Sequence, residues 1–263
     1  ERHSTNLETI MEGLMLLRDE RNKVMPTVEN FLQVNIGFQV LCSQFINSAK
    51  EYIDNPSLSS KTEESGLVGV VDTRCDIRSI VEEAIEETCS ITERHMESTP
   101  DVIIESFGRP RLICCVPSYI HHILFEVLKN SLKATVSSND LVTEMLPPVE
   151  VFIVWGKTEA CIIIEDKGGG MSREKVSKAF QYLWTSSETF ADAEAKHMEA
   201  HSYQPMVDPL SGMGIGLPIS RLFARHFGGD LLMQSAEGYG TRVAIYIPKD
   251  NLPETIPIHW DAK

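Results

Sequence analysis

Apolar residues at Ile120, Ile123, Leu124, Val127, Leu128 and Leu132 recur with a period near 3.6 residues, which predicts one stripe of a helix over 117–136. His122, Glu126 and Asn130 fall on the opposite face, at i, i+4 and i+8. Elsewhere the period is two. Val149, Val151, Ile153 and Trp155 share one side of a strand over 149–156, and Thr241, Val243, Ile245 and Ile247 share a side of another over 241–247. Further strands are expected over 101–106, 110–116, 159–166 and 230–236. An acidic amphipathic helix is expected from Asp76 to His95, and a second helix over 215–227 with Pro218 in its first turn and Gly228-Gly229 at its end. Together these predict an α+β fold, an α/β sandwich whose sheet is covered on one face by helices 117–136 and 215–227.

The N-terminal portion has helical spacing to about Tyr52, interrupted near Pro26, which predicts two helices. Ile53 to Ser65 is rich in Ser, Pro, Asn and Glu and reads as a linker. Two long helices make only a partial bundle. The expected organisation is a partial four-helix-bundle-like segment with its linker over 1–65, a larger domain over 66–250 and a tail over 251–263.

Composition narrows the partners. A chain of 263 residues, 42% hydrophobic, can bury a sizeable core, and a net charge of −14 argues against nonspecific nucleic-acid binding. The six cysteines, at 42, 75, 89, 114, 115 and 161, show no C-x-x-C spacing and read as reduced core residues. No run of eighteen apolar residues predicts a membrane span. The first residue is Glu1, with neither methionine nor a basic presequence, and reads as the start of a trimmed or incomplete product.

Three segments carry candidate chemistry. A carboxylate at Glu126 can orient or deprotonate a hydroxyl, while Asn130 on the same face offers a neutral oxygen to a hard cation such as Mg²⁺; a solvated polar face is the plainer alternative. Asp166 follows the apolar run Cys161–Ile164 and is expected where the strand ends and a loop opens. There it can accept a hydrogen bond from an exocyclic amine, with Gly168, Gly169 and Gly170 letting a flat base approach; hairpin punctuation is the alternative. Gly212-x-Gly214-x-Gly216 precedes a helix, so its amides form an anion site suited to phosphates. It has neither the P-loop pattern nor the setting of a dinucleotide fingerprint.

The polar stretch Glu188 to Ser211 is expected to be a lid, with Thr185-Ser186-Ser187 as its hinge and Phe180, Tyr182, Leu183 and Trp184 packing beside it. His197 and His201 have metal-ligand spacing but no evident third ligand. Trp260 reads equally as a partner anchor or a plug for a groove in cis.

In order and spacing, Glu126-x-x-x-Asn130, Asp166-x-Gly168-x-Gly170, Gly212-x-Gly214-x-Gly216 and Glu237-Gly238-Tyr239-Gly240-Thr241 resemble the N, G1, G2 and G3 boxes of the ATP-binding superfamily shared by gyrase, Hsp90, histidine kinases and MutL. Within it, Phe125 to Thr135, Gly216 to Arg221 and Glu237 to Thr241 resemble the mitochondrial 2-oxo acid dehydrogenase kinases, over about residues 68 to 248. The resemblance implies a Bergerat-type ATP-binding sandwich and an ATP-dependent protein serine kinase acting on a dehydrogenase E1 alpha subunit. His122 points to the pyruvate rather than the branched-chain enzyme.

It further implies Mg²⁺, a homodimer, docking to the lipoyl domain of the E2 core, and a mitochondrial matrix location. By the same resemblance Glu126 is the general base, with His122 tuning it; Asn130 holds Mg²⁺ and Lys129 approaches phosphate. Asp166 and Thr241 read adenine, Gly168 and Gly170 flank it, and Gly212, Gly214, Ile215, Gly216 and Leu217 surround the triphosphate.

Two departures stand out. The family's pair of arginines is missing from the run Leu32–Gln44, which removes a basis for inhibition by pyruvate-like acids, and the chain ends soon after Trp260-Asp261, where the family's dimer-locking tail continues. A sensor-type histidine kinase and a conformational ATPase remain alternatives, because the Glu126 to Asn130 spacing suits water as well as serine.

Overall fold

The computed structural model describes residues 21–54, 67–68, 70–139, 145–182, 184 and 214–249. Among these the chain runs through helix α1 (Arg21–Asp54), strands β1 (Leu67–Val68) and β2 (Val71–Cys75), helix α2 (Ile77–Met96), and strands β3 (Val102–Phe107) and β4 (Ile113–Cys115). Helix α3 (Pro117–Ser138), strands β5 (Val149–Trp155) and β6 (Glu159–Gly169), the short helix α4 (Arg173–Lys178), helix α5 (Gly216–His226) and strands β7 (Asp230–Ala236) and β8 (Tyr239–Pro248) follow.

Five strands form a mixed sheet in the order β3-β5-β6-β8-β7, in which only β3 and β5 are parallel. Alternation decides which face is covered. Ile153 pairs with Ile162, and Ile162 with Ile245, so one row of fully buried isoleucines crosses three strands. Helices α3 and α5 lie on that face and α2 packs against α3, which closes a core from Ile77 and Ile123 to Ile164 and Ile245. The sandwich read from the sequence is therefore the fold observed.

Local signals set the helix ends. Asp76 caps α2 by accepting from the Arg78 amide at 3.0 Å, and Pro117 opens α3 at a position where its missing N–H costs nothing. A separate sheet, β1-β2-β4, leads directly into α3.

Several boundaries differ from those read in the sequence. The interruption near Pro26 does not occur, since α1 runs through it. Proline inside a helix costs about 3 kcal/mol. Opposing that, Leu32 and Ile36 of α1 bury against Ile219 and Leu222 of α5 and Tyr182, with Val24, Met25 and Val28 packed alongside; each large apolar side chain so buried contributes about 1.5–3 kcal/mol. The strand expected over 110–116 shortens to β4, because Pro110 has no N–H to give a ladder. Strands β1 and β2 and helix α4 are short elements that the sequence pattern did not single out.

Candidate functional site

Helix α3 presents its polar face toward the start of α5. Glu126, mostly buried, has its carboxylate 2.8 Å from the Lys129 ammonium, one turn along the same helix. Lys129 is itself buried and lies 5.5 Å from the Phe125 ring centroid. The lysine expected at phosphate pairs here with the expected base. A Cβ built on Gly216 would overlap Oε2 of Glu126 and lie 2.7 Å from its Cδ, so the absence of a side chain at the head of α5 is what admits the carboxylate.

His122, one turn before Glu126, stands edge-on to Phe223 at 5.2 Å between centroids. Its Nε2 is buried without a hydrogen-bond partner among the described residues. Burial holds the imidazole below its ordinary range, against the upward pull of the Glu126 carboxylate, with Lys129 and His121 adding to the downward shift. A neutral ring beside Glu126 is the result. Asn130, on the next turn, is exposed.

Asp166 is not at a strand end. It lies inside β6, paired with Thr241 of β8, and the ladder becomes irregular only between Asp166 and Gly169. Side-chain alternation turns it to the helix-covered face, where it is 6% exposed. Oδ1 accepts from the Gly168 amide at 3.0 Å and the Thr241 amide at 3.2 Å, and the Ser131 side chain of α3 lies near the carboxylate. Burial raises its pKa, and the Gly168 amide, the Ser131 side chain and the Thr241 amide work in the opposite direction. The Thr241 hydroxyl shares a 2.9 Å hydrogen bond with Ser235, whose Oγ also receives the Met171 amide at 2.8 Å.

The glycines at the end of β6 and just after it have a structural reason the sequence did not reveal. A Cβ on Gly168 would lie 2.6 Å from the Ala134 Cβ, and one on Gly170, where φ is 65°, would strike the Ala236 carbonyl. Close packing of α3 and of the β7–β8 turn already requires glycine there.

At the third glycine segment, Gly214 has φ 70°, a left-handed conformation that favours glycine, and Ile215 precedes the first turn of α5. The leading amides of α5 have no intrahelical acceptor, as at any helix start, so this end is disposed to take an anion. Leu217 packs on the main core and Ile215 on the cluster that α1 shares with α5. Gly212, the lid with its hinge and Leu183, His197, His201 and Trp260 lie outside the described residues.

The structure thus brings together Glu126, His122, Lys129, Asn130 and Gly216 at one corner, and Asp166, Thr241 and Gly168 at a second, joined by α3. Sequence reasoning missed Ser131, the Glu126–Lys129 pair and the contact of Gly216 with Glu126. The only advance signal was the helical spacing that places Lys129 near Glu126.

The pattern that defines the histidine kinase-, DNA gyrase B- and HSP90-like ATPases matches residues 115–251. Among curated proteins the chain is similar to a mitochondrial [pyruvate dehydrogenase (acetyl-transferring)] kinase of Ascaris suum, 33% identical over 98% of this chain and 63% of the relative. The corresponding kinase of Schizosaccharomyces pombe is 35% identical over 86% of this chain and 50% of its own, and isozyme 4 of Homo sapiens 29% identical over 94% and 58%. The chain therefore spans between half and two thirds of the length of these relatives. With α3 supplying Glu126 and Asn130, β6 supplying Asp166, and the family pattern running from β4 to the end of β8, the chain belongs to the histidine kinase-, DNA gyrase B- and HSP90-like ATPase family.

Proposed function

We propose that this chain is the ATP-binding and phosphoryl-transfer part of a mitochondrial protein serine kinase that acts on the α subunit of pyruvate dehydrogenase. One observation carries the reading: the Glu126 carboxylate lies against Gly216 at the N-terminus of α5, so a base and the phosphate-holding amides occupy one corner. Adenine is placed at Asp166, which accepts its amine, and the triphosphate runs to the start of α5, with Gly214, Ile215 and Gly216 around it. Glu126 orients the serine hydroxyl or takes its proton, and the neutral His122 beside it adds no competing charge.

The donor set fits magnesium. Among the described residues no group of three or more His, Cys, Asp or Glu could hold a metal, whereas Mg²⁺ on a nucleotide needs only one or two protein oxygens beside phosphate and water. The exposed Asn130 would supply one. The ion, when bound, neutralises the phosphate oxygens. Lys129, drawn from Glu126 to phosphate when nucleotide binds, would leave the carboxylate unpaired for the hydroxyl. The same reading places the protein in the mitochondrial matrix, as a homodimer that docks on a lipoyl domain.

Incubation with labelled ATP and purified pyruvate or branched-chain dehydrogenase complex tests this. Acid-stable label on the pyruvate dehydrogenase α subunit is the expected result, and label on the branched-chain complex alone reassigns the substrate. Acid-labile label on the chain itself would indicate a histidine kinase, and phosphate release without labelled protein an ATPase.

A further inference from the structure

Four rings interleave between α3 and α5. His122 of α3 meets Phe223 of α5 edge-on, with 5.2 Å between centroids and the planes at 85°. Phe223 in turn stacks on Tyr119, one turn before His122, at 4.2 Å and 10°, and Tyr119 lies 5.7 Å from Phe227. Tyr119 and His122 are i and i+3 on one helix, Phe223 and Phe227 i and i+4 on the other, so the rings alternate between the two helices like the teeth of a zipper. The stacked pair and the edge-on pair are both arrangements that aromatic rings favour.

Hydrogen bonds at its two nitrogens ordinarily fix how an imidazole stands. Nε2 of His122 is buried and has no such partner among the described residues, so on that side the ring is held by packing. The aromatic contact that reaches it from α5 is Phe223, whose own ring is fixed by the stack on Tyr119. We infer that Phe223 is a positioning residue for phosphoryl transfer: its ring, backed by Tyr119, holds the His122 imidazole in place beside Glu126. The inference rests on the reading of Glu126 as the base and His122 as the group that tunes it. Helix α5 then serves both members of that pair, since Gly216 admits the Glu126 carboxylate and Phe223, two turns on, braces the histidine. An apolar cavity bordered by Tyr119, Ile120, Ile123, Phe223 and Phe227 adjoins the stack, so no side chain stands there to replace a shortened ring. With leucine at 223 the imidazole loses its edge contact and turns more freely about its side-chain bonds. Because Phe223 lies two turns past the phosphate-holding end of α5, nucleotide affinity should be spared.

Label transfer to the dehydrogenase α subunit at limiting and saturating ATP, by the parent chain, Phe223→Leu, Phe223→Tyr, His122→Ala and the double variant Phe223→Leu with His122→Ala, tests this. Phe223→Leu should lower kcat about tenfold and keep the KM for ATP within a few-fold, a loss smaller than the roughly 10²-fold of a catalytic group misplaced by 1 Å. Phe223→Tyr keeps the ring and should restore the rate. His122→Ala should also slow transfer, and in that background Phe223→Leu should cost nothing further, because the two side chains act as one unit. Losses that multiply in the double variant would overturn the inference, as would parent-level transfer by Phe223→Leu beside a slow His122→Ala. Parent-level transfer by His122→Ala removes the tuning role of the histidine and the inference with it. Tyr119→Leu, which leaves Phe223 in place but takes away its backing, reads the same brace if Phe223→Leu does not fold. It should give a smaller loss of kcat that His122→Ala again abolishes, and a loss that persists without His122 would assign the stack to packing alone.

Discussion

Replacing Gly216 by alanine adds a single methyl group at the point where α5 meets the Glu126 carboxylate. The new Cβ would overlap Oε2 and sit 2.7 Å from Cδ and 3.3 Å from Cγ of Glu126, whereas carbon atoms rest about 3.5–4.0 Å apart. The carboxyl must therefore move by about 1 Å, and as the end of a flexible side chain it can. Moving takes it away from the start of α5 and disturbs its 2.8 Å pairing with Lys129. A catalytic group misplaced by about 1 Å costs on the order of 10²-fold in rate.

The fold should not suffer. Gly216 lies in the helix without a positive φ, its N–H survives the change, and alanine exceeds glycine in helix propensity by roughly 1 kcal/mol. Gly216→Ala should lower phosphoryl transfer about 100-fold, keep ADP affinity within a few-fold, and leave the melting temperature level or slightly higher. Label transfer to the dehydrogenase α subunit, calorimetry and thermal unfolding read these three quantities. Gly214→Ala is the contrasting control, since φ 70° penalises any side chain by about 1–2 kcal/mol and should lower the melting temperature. Parent-level transfer by Gly216→Ala would show that the contact with Glu126 does not govern catalysis.

Glu126→Gln should keep ADP affinity within a few-fold and lower transfer by roughly 10²-fold or more, with equal rates in variant and parent removing Glu126 from the mechanism. Asp166→Asn should weaken ADP yet raise stability at neutral pH, because burial raises the folded pKa and the fold loses stability as pH climbs from the unfolded value through the folded one; urea titration reading no gain would contradict it. His226 is held below 6.5 by burial, so the folded chain resists its protonation, and that contribution to stability is full above 6.5 and lost as pH falls toward the folded pKa. The drop in urea midpoint between pH 7 and 5.5 should shrink in His226→Phe, and an unchanged drop would clear this histidine.

Periodicity carried most of the fold. Helix α3 and strand β5 have continuous patterns of 3.6 and 2 residues, and both appear within two residues of the expected boundaries. Pro26 misled because a local rule was set against a distant contact: the packing of Leu32 and Ile36 on α5 depends on residues nearly 200 positions away, which no window along the chain contains. Asp166 misled for a related reason. Glycines after an apolar run signal a loop, but here β8 continues to pair beyond Asp166, and Gly240 lets it pass so close that a Cβ there would lie 2.9 Å from the Asp166 carbonyl carbon.

The candidate site divides along the same line. Glu126 and Asn130 were legible together because one helix face holds both, and their spacing is a property of that helix alone. Gly216 against Glu126, Ser131 with Asp166 and Gly168 beneath Ala134 are meetings between elements separated by 30 residues or more along the chain. Each depends on how closely α3 settles on the sheet and on α5, and glycine at 168 and 216 sets that distance. Glycine in a phosphate-type motif is ordinarily credited to turn geometry or to ligand approach. At Gly168 and Gly216 a methyl group would first collide with Ala134 and with the Glu126 carboxylate, so these glycines set how closely α3 meets β6 and α5 before any ligand arrives.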